Sequence, residues 1–192
     1  MQEVKITNQA APAIPIGKAV KLDPVDEEMI CRVAERRRES CQSRNAKNEM
    51  RSLTESDQDE RERLGVAGEV VAAYLFGVRP DLSESPRSGG ADLIVGGCRV
   101  DVKTTDCDES RLGLGSTPRL LTNKQDATVD AYVLIWYRRN HDAFEYRGWI
   151  DSKTVDEQEP KRSGNKSNPY RVGTRYVTGE TLKGGTPFVV SQ

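Results

Sequence analysis

Hydrophobic and polar residues recur along this chain with two periods, and the change from one to the other divides it. From Val25 to about Arg44, Met29, Ile30, Val33 and Ala34 fall at helical spacing among many charges, which predicts an amphipathic, half-solvated helix. Asp23-Pro24 supplies its start. A second helix is predicted over 61–77, where Leu64, Ala67, Val71, Tyr74 and Leu75 share a face and Gly77 provides the stop. Within it, Gly65 and Gly68 each cost about 1 kcal/mol relative to alanine, so each is either tolerated or marks a close approach of another backbone.

Beyond Gly90 the period shortens to two. Residues 91–105 read as two strands around Gly96-Gly97, a dipeptide suited to a two-residue hairpin turn. Ala131 to Tyr137 has the length and composition of a buried central strand, and a further strand is predicted over Phe144 to Ile150. The pieces between are less regular. The first 22 residues, with Pro12 and Pro15, suit an extended arm or edge strand. Residues 45–61 are almost wholly polar and read as a linker, 79–90 and 106–118 as loops, and 119–128 as a short helix. In the tail, short strands are predicted around 170–177 and 187–190, among Lys161, Arg162, Lys166, Arg171, Arg175 and Lys183.

This organisation fits one domain with appendages: an N-terminal helical arm, charged helix and linker over 1–60, then a domain over 61–192 with basic C-terminal strands. The longest apolar runs, Val70 to Phe76 and Ala131 to Tyr137, are far too short to span a bilayer, so no membrane partner and a soluble, cytoplasmic protein are expected. Cys31, Cys41, Cys98 and Cys107 form no CxxC pair, and the single histidine, His141, lies in a polar turn remote from them. Neither a zinc site nor histidine-based catalysis is expected. Net charge is −1, so any contact with a polyanion must come from local clusters. Arg36-Arg37-Arg38 is one such run, though a charge run on a helix is usually a solvated face.

The hairpin carries the chemistry. A two-residue turn at Gly96-Gly97 pairs Val95 with Cys98, Ile94 with Arg99 and Leu93 with Val100, and sets Asp92 opposite Asp101. Leu93, Val95, Cys98, Val100 and Val102 then face the core, while Asp92, Asp101 and Lys103 share the other face with Ile94 and Arg99. Two aspartates so placed have β-carbons about 5 Å apart, and unit charges at that separation repel by about 3 kcal/mol at an effective dielectric near 20. Lys103 offsets part of this, and a bridging divalent cation would reverse it. Oxygen donors without histidine or thiolate suit magnesium or manganese, which complete their shell with water and phosphate oxygens. Lys103 would orient a water or neutralise developing charge, and Glu69 on the preceding helix is a further ligand or water-positioning base. The plain alternative is a solvated hairpin face with a surface ion pair.

Glu69 in Gly68-Glu69, Asp92 in Gly90-Ala91-Asp92-Leu93, and Asp101-Val102-Lys103 follow one another in an order that resembles the PD-(D/E)xK, restriction-endonuclease-like nuclease superfamily. Lys124, the strand from Asp130 to Tyr137, and Gly148-Trp149-Ile150 also look like its small members often encoded by phages. Two positions depart from the pattern: Ala91 stands where a proline often precedes the first aspartate, and Asp101 where glutamate is commoner. The resemblance spans about residues 60–150. It implies an α/β (α+β) fold with a mixed central β-sheet flanked by helices, and Mg2+- or Mn2+-dependent phosphodiester hydrolysis with DNA as the usual substrate. Two protomers could pair to cut two strands. Arg87, Arg99, Arg119 and Lys124, with the basic tail, are the candidate nucleic-acid-binding residues. The alternative, since a fold does not guarantee its chemistry, is a catalytically inactive module that binds nucleic acid or a protein partner.

Overall fold

The computed structural model describes residues 14–43, 55–83, 91–106, 120–122, 129–157, 175–177, 181–185 and 187. In chain order its elements are β1 (Ala19–Val20), α1 (Pro24–Ser43), α2 (Glu55–Phe76), β2 (Leu93–Val95), β3 (Cys98–Thr105), β4 (Leu120–Thr122), β5 (Ala131–Arg138), β6 (Ala143–Asp151), α3 (Ser152–Asp156) and β7 (Arg175–Val177). Five strands form a mixed sheet in the order β1-β6-β5-β3-β2, in which β3 and β5 run parallel and the other neighbours antiparallel. β4 and β7 form a separate antiparallel pair. The class is mixed α/β, a five-stranded sheet with helices packed against it.

The start of α1 and the end of α2 have local causes. The Asp23 carboxylate accepts the backbone N–H groups of Val25 and Asp26 at 2.9 and 2.8 Å, capping α1 one residue before Pro24. Ile30, Val33 and Ala34 are buried on the α1 stripe, as its period requires. α2 ends at Phe76, where Gly77 takes a φ of +66° that only glycine adopts without strain. Its start differs from expectation. Residues 55–61, read as linker, are helical. Arg38 binds Asp59, and Arg139 donates to Glu60 at 2.8 Å, so charged partners distant in sequence hold these polar turns where apolar periodicity is missing.

α2 lies on the sheet, and α1 packs antiparallel on α2, with the start of α1 near the end of α2 at Asp26 and Tyr74 and the reverse at Arg38 and Asp59. Enclosed from two sides, α2 buries Val66, Val70, Ala72 and Ala73 as well as Leu64, Ala67 and Val71. Tyr74, expected on the buried face, is 48% exposed and donates its hydroxyl to Asp26. Ile14, α1, α2, β2, β3, β5 and β6 contribute to this helix-side core. A smaller cluster of Val129, Tyr132, Leu134, Ile150, Val155 and Leu182 includes the alternate positions of β5. β5 is therefore buried on both faces, as its uninterrupted apolar run predicts.

The N-terminal arm is partly anchored. Residues 1–13 lie outside the described residues, but β1 pairs with β6 at the sheet edge and Ile14 is buried. The short helix expected over 119–128 is not what 120–122 form. Leu120–Thr122 pairs with Arg175–Val177, a non-local partner that three residues without helical period cannot announce. α3 is a short addition, its start capped by the Asp151 carboxylate accepting the Thr154 N–H at 2.7 Å. Gly148 sits opposite Leu134 at a register shift, with φ +116°. A side chain there would meet the Lys183 carbonyl at 2.8 Å, so glycine lets the tail dock against β6. Among the described residues, no helix is long and apolar enough to cross a membrane.

Candidate active site

Gly96 and Gly97 both take left-handed φ values, +55° and +82°, as a two-residue hairpin turn of matching twist requires. The turn fixes the pairs Leu93↔Val100, Ile94↔Arg99 and Val95↔Cys98. Leu93, Val95, Cys98, Val100 and Val102 are buried in the helix-side core, and Ile94 is exposed. The expected alternation holds across the hairpin. The regular ladder stops at Leu93, however. The Asp92 N–H turns to the Val100 carbonyl at 2.8 Å, and its Oδ2 accepts the Val102 N–H at 2.7 Å. Asp92 is thus not a simple ladder partner of Asp101. It is held at the mouth of the hairpin by two bonds to β3.

That placement gathers the carboxylates. Burial pushes the Asp92 carboxyl well above the usual carboxylate range, to about 8, and the charges of Glu69 and Asp101 and a hydrogen bond with Asp101 push the same way, against the Val102 N–H. Lys103 Nζ lies 2.8 Å from Asp101 Oδ1 and 2.6 Å from Oδ2, two residues along the same strand. Glu69 arrives from α2, and Gly68 explains how. A β-carbon at Gly68 would stand 1.9 Å from Thr104 Oγ1 and 3.0 Å from Thr104 Cβ, so α2 and β3 approach through a glycine. Gly65 has nothing within 4 Å of the same position and is merely tolerated.

The structure brings Glu69, Asp92, Asp101 and Lys103 into one neighbourhood, as their sequence order suggested. Among the described residues, no group of three or more His, Cys, Asp or Glu side chains stands ready to hold a metal ion. The ion pairs bear on this: Lys103 engages both Asp101 oxygens, and Arg37 Nη1 donates to both Glu69 oxygens at 3.0 and 2.9 Å. The donor set still fits a hard cation, since one or two carboxylates with water and phosphate suffice for magnesium. A carboxyl whose pKa is raised by burial and by two neighbouring carboxylates also gains from positive charge.

Arg37 is the residue that sequence reasoning passed over. Read as one member of a solvated charge run, it is instead enclosed, its side chain 11% exposed against 14% for Glu69. It also donates to the carbonyls of Asp81 and Ser83. The signal was present: Ile30, Val33, Ala34 and Arg37 continue one helical stripe at i, i+3, i+4 and i+7. Arg38 is paired too, with Asp59.

Of the candidate nucleic-acid contacts, Arg99 forms a two-nitrogen pair with Asp130, at 3.0 Å from Nε and 2.8 Å from Nη2. Arg87, Arg119 and Lys124 lie outside the described residues, as do Lys161, Arg162, Lys166 and Arg171. Lys183 pairs with Asp151 and sits 4.9 Å over the Trp149 ring. His141 is exposed in the turn between β5 and β6. Cys31 and Cys98 carry free thiols, and Cys107 falls outside the described residues. No family model, curated protein or solved structure matches this chain.

Proposed function

We propose that the protein is a metal-dependent nuclease with a restriction-endonuclease-like core, hydrolysing phosphodiester bonds in DNA. The observation that carries this reading is the gathering of Glu69 and Asp101 around a part-buried Asp92, with the Lys103 ammonium on Asp101. Asp92 and Asp101, with Glu69 beside them, would hold Mg2+ or Mn2+. When bound, the ion supplies charge neutralisation at a phosphoryl oxygen and a bound water of lowered pKa.

The chain's own residues do the rest. Asp92 gives up its proton when the site is loaded, because a ligand carboxyl must be ionised. Lys103, about one-third exposed, is within reach of both Asp101 and solvent, where it can orient a water or meet negative charge developing on a phosphate. The Val102 N–H fixes one Asp92 oxygen and so orients the carboxyl toward its neighbours. Phosphate esters follow from oxygen ligands and a hard cation. DNA follows from the family resemblance.

The test is a cleavage panel of single-stranded, duplex and branched DNA with Mg2+ or Mn2+. Wild type should nick or degrade DNA, while Lys103→Ala stays folded and loses activity. Equal cleavage by wild type, Lys103→Ala and Asp101→Ala would overturn the proposal. Salt-dependent DNA binding without turnover would identify a binding module instead.

A further inference from the structure

Buried ion pairs contribute little net stability when compared with apolar packing of the same volume, because desolvation cancels much of their attraction. An enclosed arginine on a half-solvated helix therefore asks for a reason other than holding that helix in place. Arg37 donates to four acceptors on two other segments: both Glu69 oxygens on α2, and the carbonyls of Asp81 at 2.8 Å and Ser83 at 3.2 Å. It is more enclosed than Arg38, whose partner Asp59 sits near the start of α2 and is 48% exposed. Its partner Glu69, by contrast, is one of the two carboxylates whose charges reach Asp92.

From this geometry, and resting on the nuclease reading above, we infer that Arg37 is a positioning residue that fixes the Glu69 carboxylate in the candidate metal site. A single guanidinium nitrogen bound to both Glu69 oxygens restricts rotation of the carboxylate, and each oxygen keeps lone-pair capacity for another partner. The Asp81 and Ser83 carbonyls restrict the guanidinium in turn, so its orientation does not depend on Glu69 alone. Partners of this kind, one step behind a ligand, set its direction, and their loss costs metal affinity without removing a donor. Lysine cannot substitute fully, since an ammonium on a flexible stem lacks the planar fork.

The experiment titrates the full chain with Mn2+, read by calorimetry and by the electron-paramagnetic-resonance signal of free ion. Wild type, Asp92→Ala, Arg37→Ala, Arg37→Lys, Glu69→Gln and the Arg37→Ala/Glu69→Gln double variant are compared. Arg37→Ala should weaken Mn2+ binding by roughly 10- to 100-fold, Arg37→Lys by less, and millimolar guanidinium should restore part of the loss in Arg37→Ala. In the Glu69→Gln background, Arg37→Ala should cost nothing further, because its effect passes through Glu69. A merely structural arginine would lower the melting temperature and add its effect in both backgrounds. Wild-type affinity in Arg37→Ala, or an undiminished loss in the Glu69→Gln background, overturns the inference while Asp92-dependent binding leaves the nuclease reading standing. No Mn2+ uptake by wild type overturns both. Should Arg37→Ala fail to fold, Arg37→Lys keeps the buried cation and decides alone: wild-type affinity refutes the inference, and weakened binding with an unchanged melting temperature supports it.

Discussion

Two aspartates flanking strands of the same sheet, Asp151 in β6 and Asp92 just before β2, accept one backbone N–H each and otherwise meet opposite surroundings. Asp151, closing β6, caps α3 through Thr154 and holds Lys183 at 3.1 Å. Burial is the largest single influence and raises its pKa, but the hydrogen bonds from Thr154 and Lys183 and the Lys183 charge together outweigh it and bring the carboxyl down to about 2. Asp92, preceding β2, accepts the Val102 N–H in a more buried place with Glu69 and Asp101 as neighbours, and is pushed up to about 8. One backbone bond therefore does not decide the state of a carboxylate. Its charged neighbours and its access to water do. An acid given a cation and a cap serves the fold, whereas an acid set among acids is costly to the fold and needs another justification.

The largest expected effect follows from that division. Asp92→Asn should remove metal-dependent cleavage, by roughly 100-fold or more if the carboxylate helps hold the ion, with the melting temperature of metal-free protein kept or raised. Asp151→Ala should leave cleavage intact. Assays of both variants on the same DNA substrate check this, and a loss of cleavage at Asp151 equal to that at Asp92 would break the comparison.

Acidity sharpens it. The folded-state pKa of Asp92 lies above its unfolded value near 3.8, so the folded chain keeps a proton that the unfolded chain has lost between about pH 4 and 8. Its contribution to stability is present in full below pH 4 and disappears as pH rises through 8. For Asp151 the sign reverses: its stabilisation is present above about pH 4 and lost as pH falls through 2. Denaturation of metal-free protein across pH 4 to 8 should show a falling midpoint in wild type and a flatter one in Asp92→Asn. With Mn2+ present, affinity should rise over the same interval, since the ion displaces that proton.

How much of this was legible beforehand depends on whether the signal was local. The hairpin register was, because Gly96-Gly97 fixes the turn and alternation then fixes both faces. The central burial of β5 was, because its apolar run is unbroken. The start of α2 was not, since Asp59 and Glu60 are held by arginines far along the chain. β4 pairs with a strand from the tail, and no helical or strand period marks three residues. Tyr74 was misplaced because a helix enclosed by both α1 and the sheet buries more than one stripe. Within the candidate site, Glu69, Asp92, Asp101 and Lys103 were visible from spacing and order. The departure of Asp92 from the ladder, and the clasp of Arg37 on Glu69, depend on how three segments meet.

The two glycines of α2 offer a matched test of that meeting. Gly65→Ala fills open space and should stabilise the protein by up to about 1 kcal/mol through helix propensity. Gly68→Ala places a methyl group against Thr104, whose side chain is short and stiff at its branch point, so α2 or β3 must shift. A loss of about 1 to 3 kcal/mol is expected, with weaker Mn2+ binding because Glu69 follows directly. Opposite signs in urea denaturation would place the close approach at Gly68, and equal signs would remove the explanation for how Glu69 reaches Asp92.

The smallest effects belong to Asp151, and they separate its two roles. Asp151→Ala loses both the cap on Thr154 and the partner of Lys183, and should cost about 1 kcal/mol, the usual value of an N-cap. Asp151→Asn retains a good capping side chain and loses only the ion pair, whose members are 54% and 34% exposed. Such pairs are worth between zero and about 1 kcal/mol, so Asp151→Asn should lie close to wild type and lose its small deficit in high salt. Urea denaturation at low and high salt resolves the two. If Asp151→Asn were as damaging as Asp151→Ala, the Lys183 pair and not the cap would be what Asp151 contributes, and docking of the tail on Gly148 would be the feature it protects.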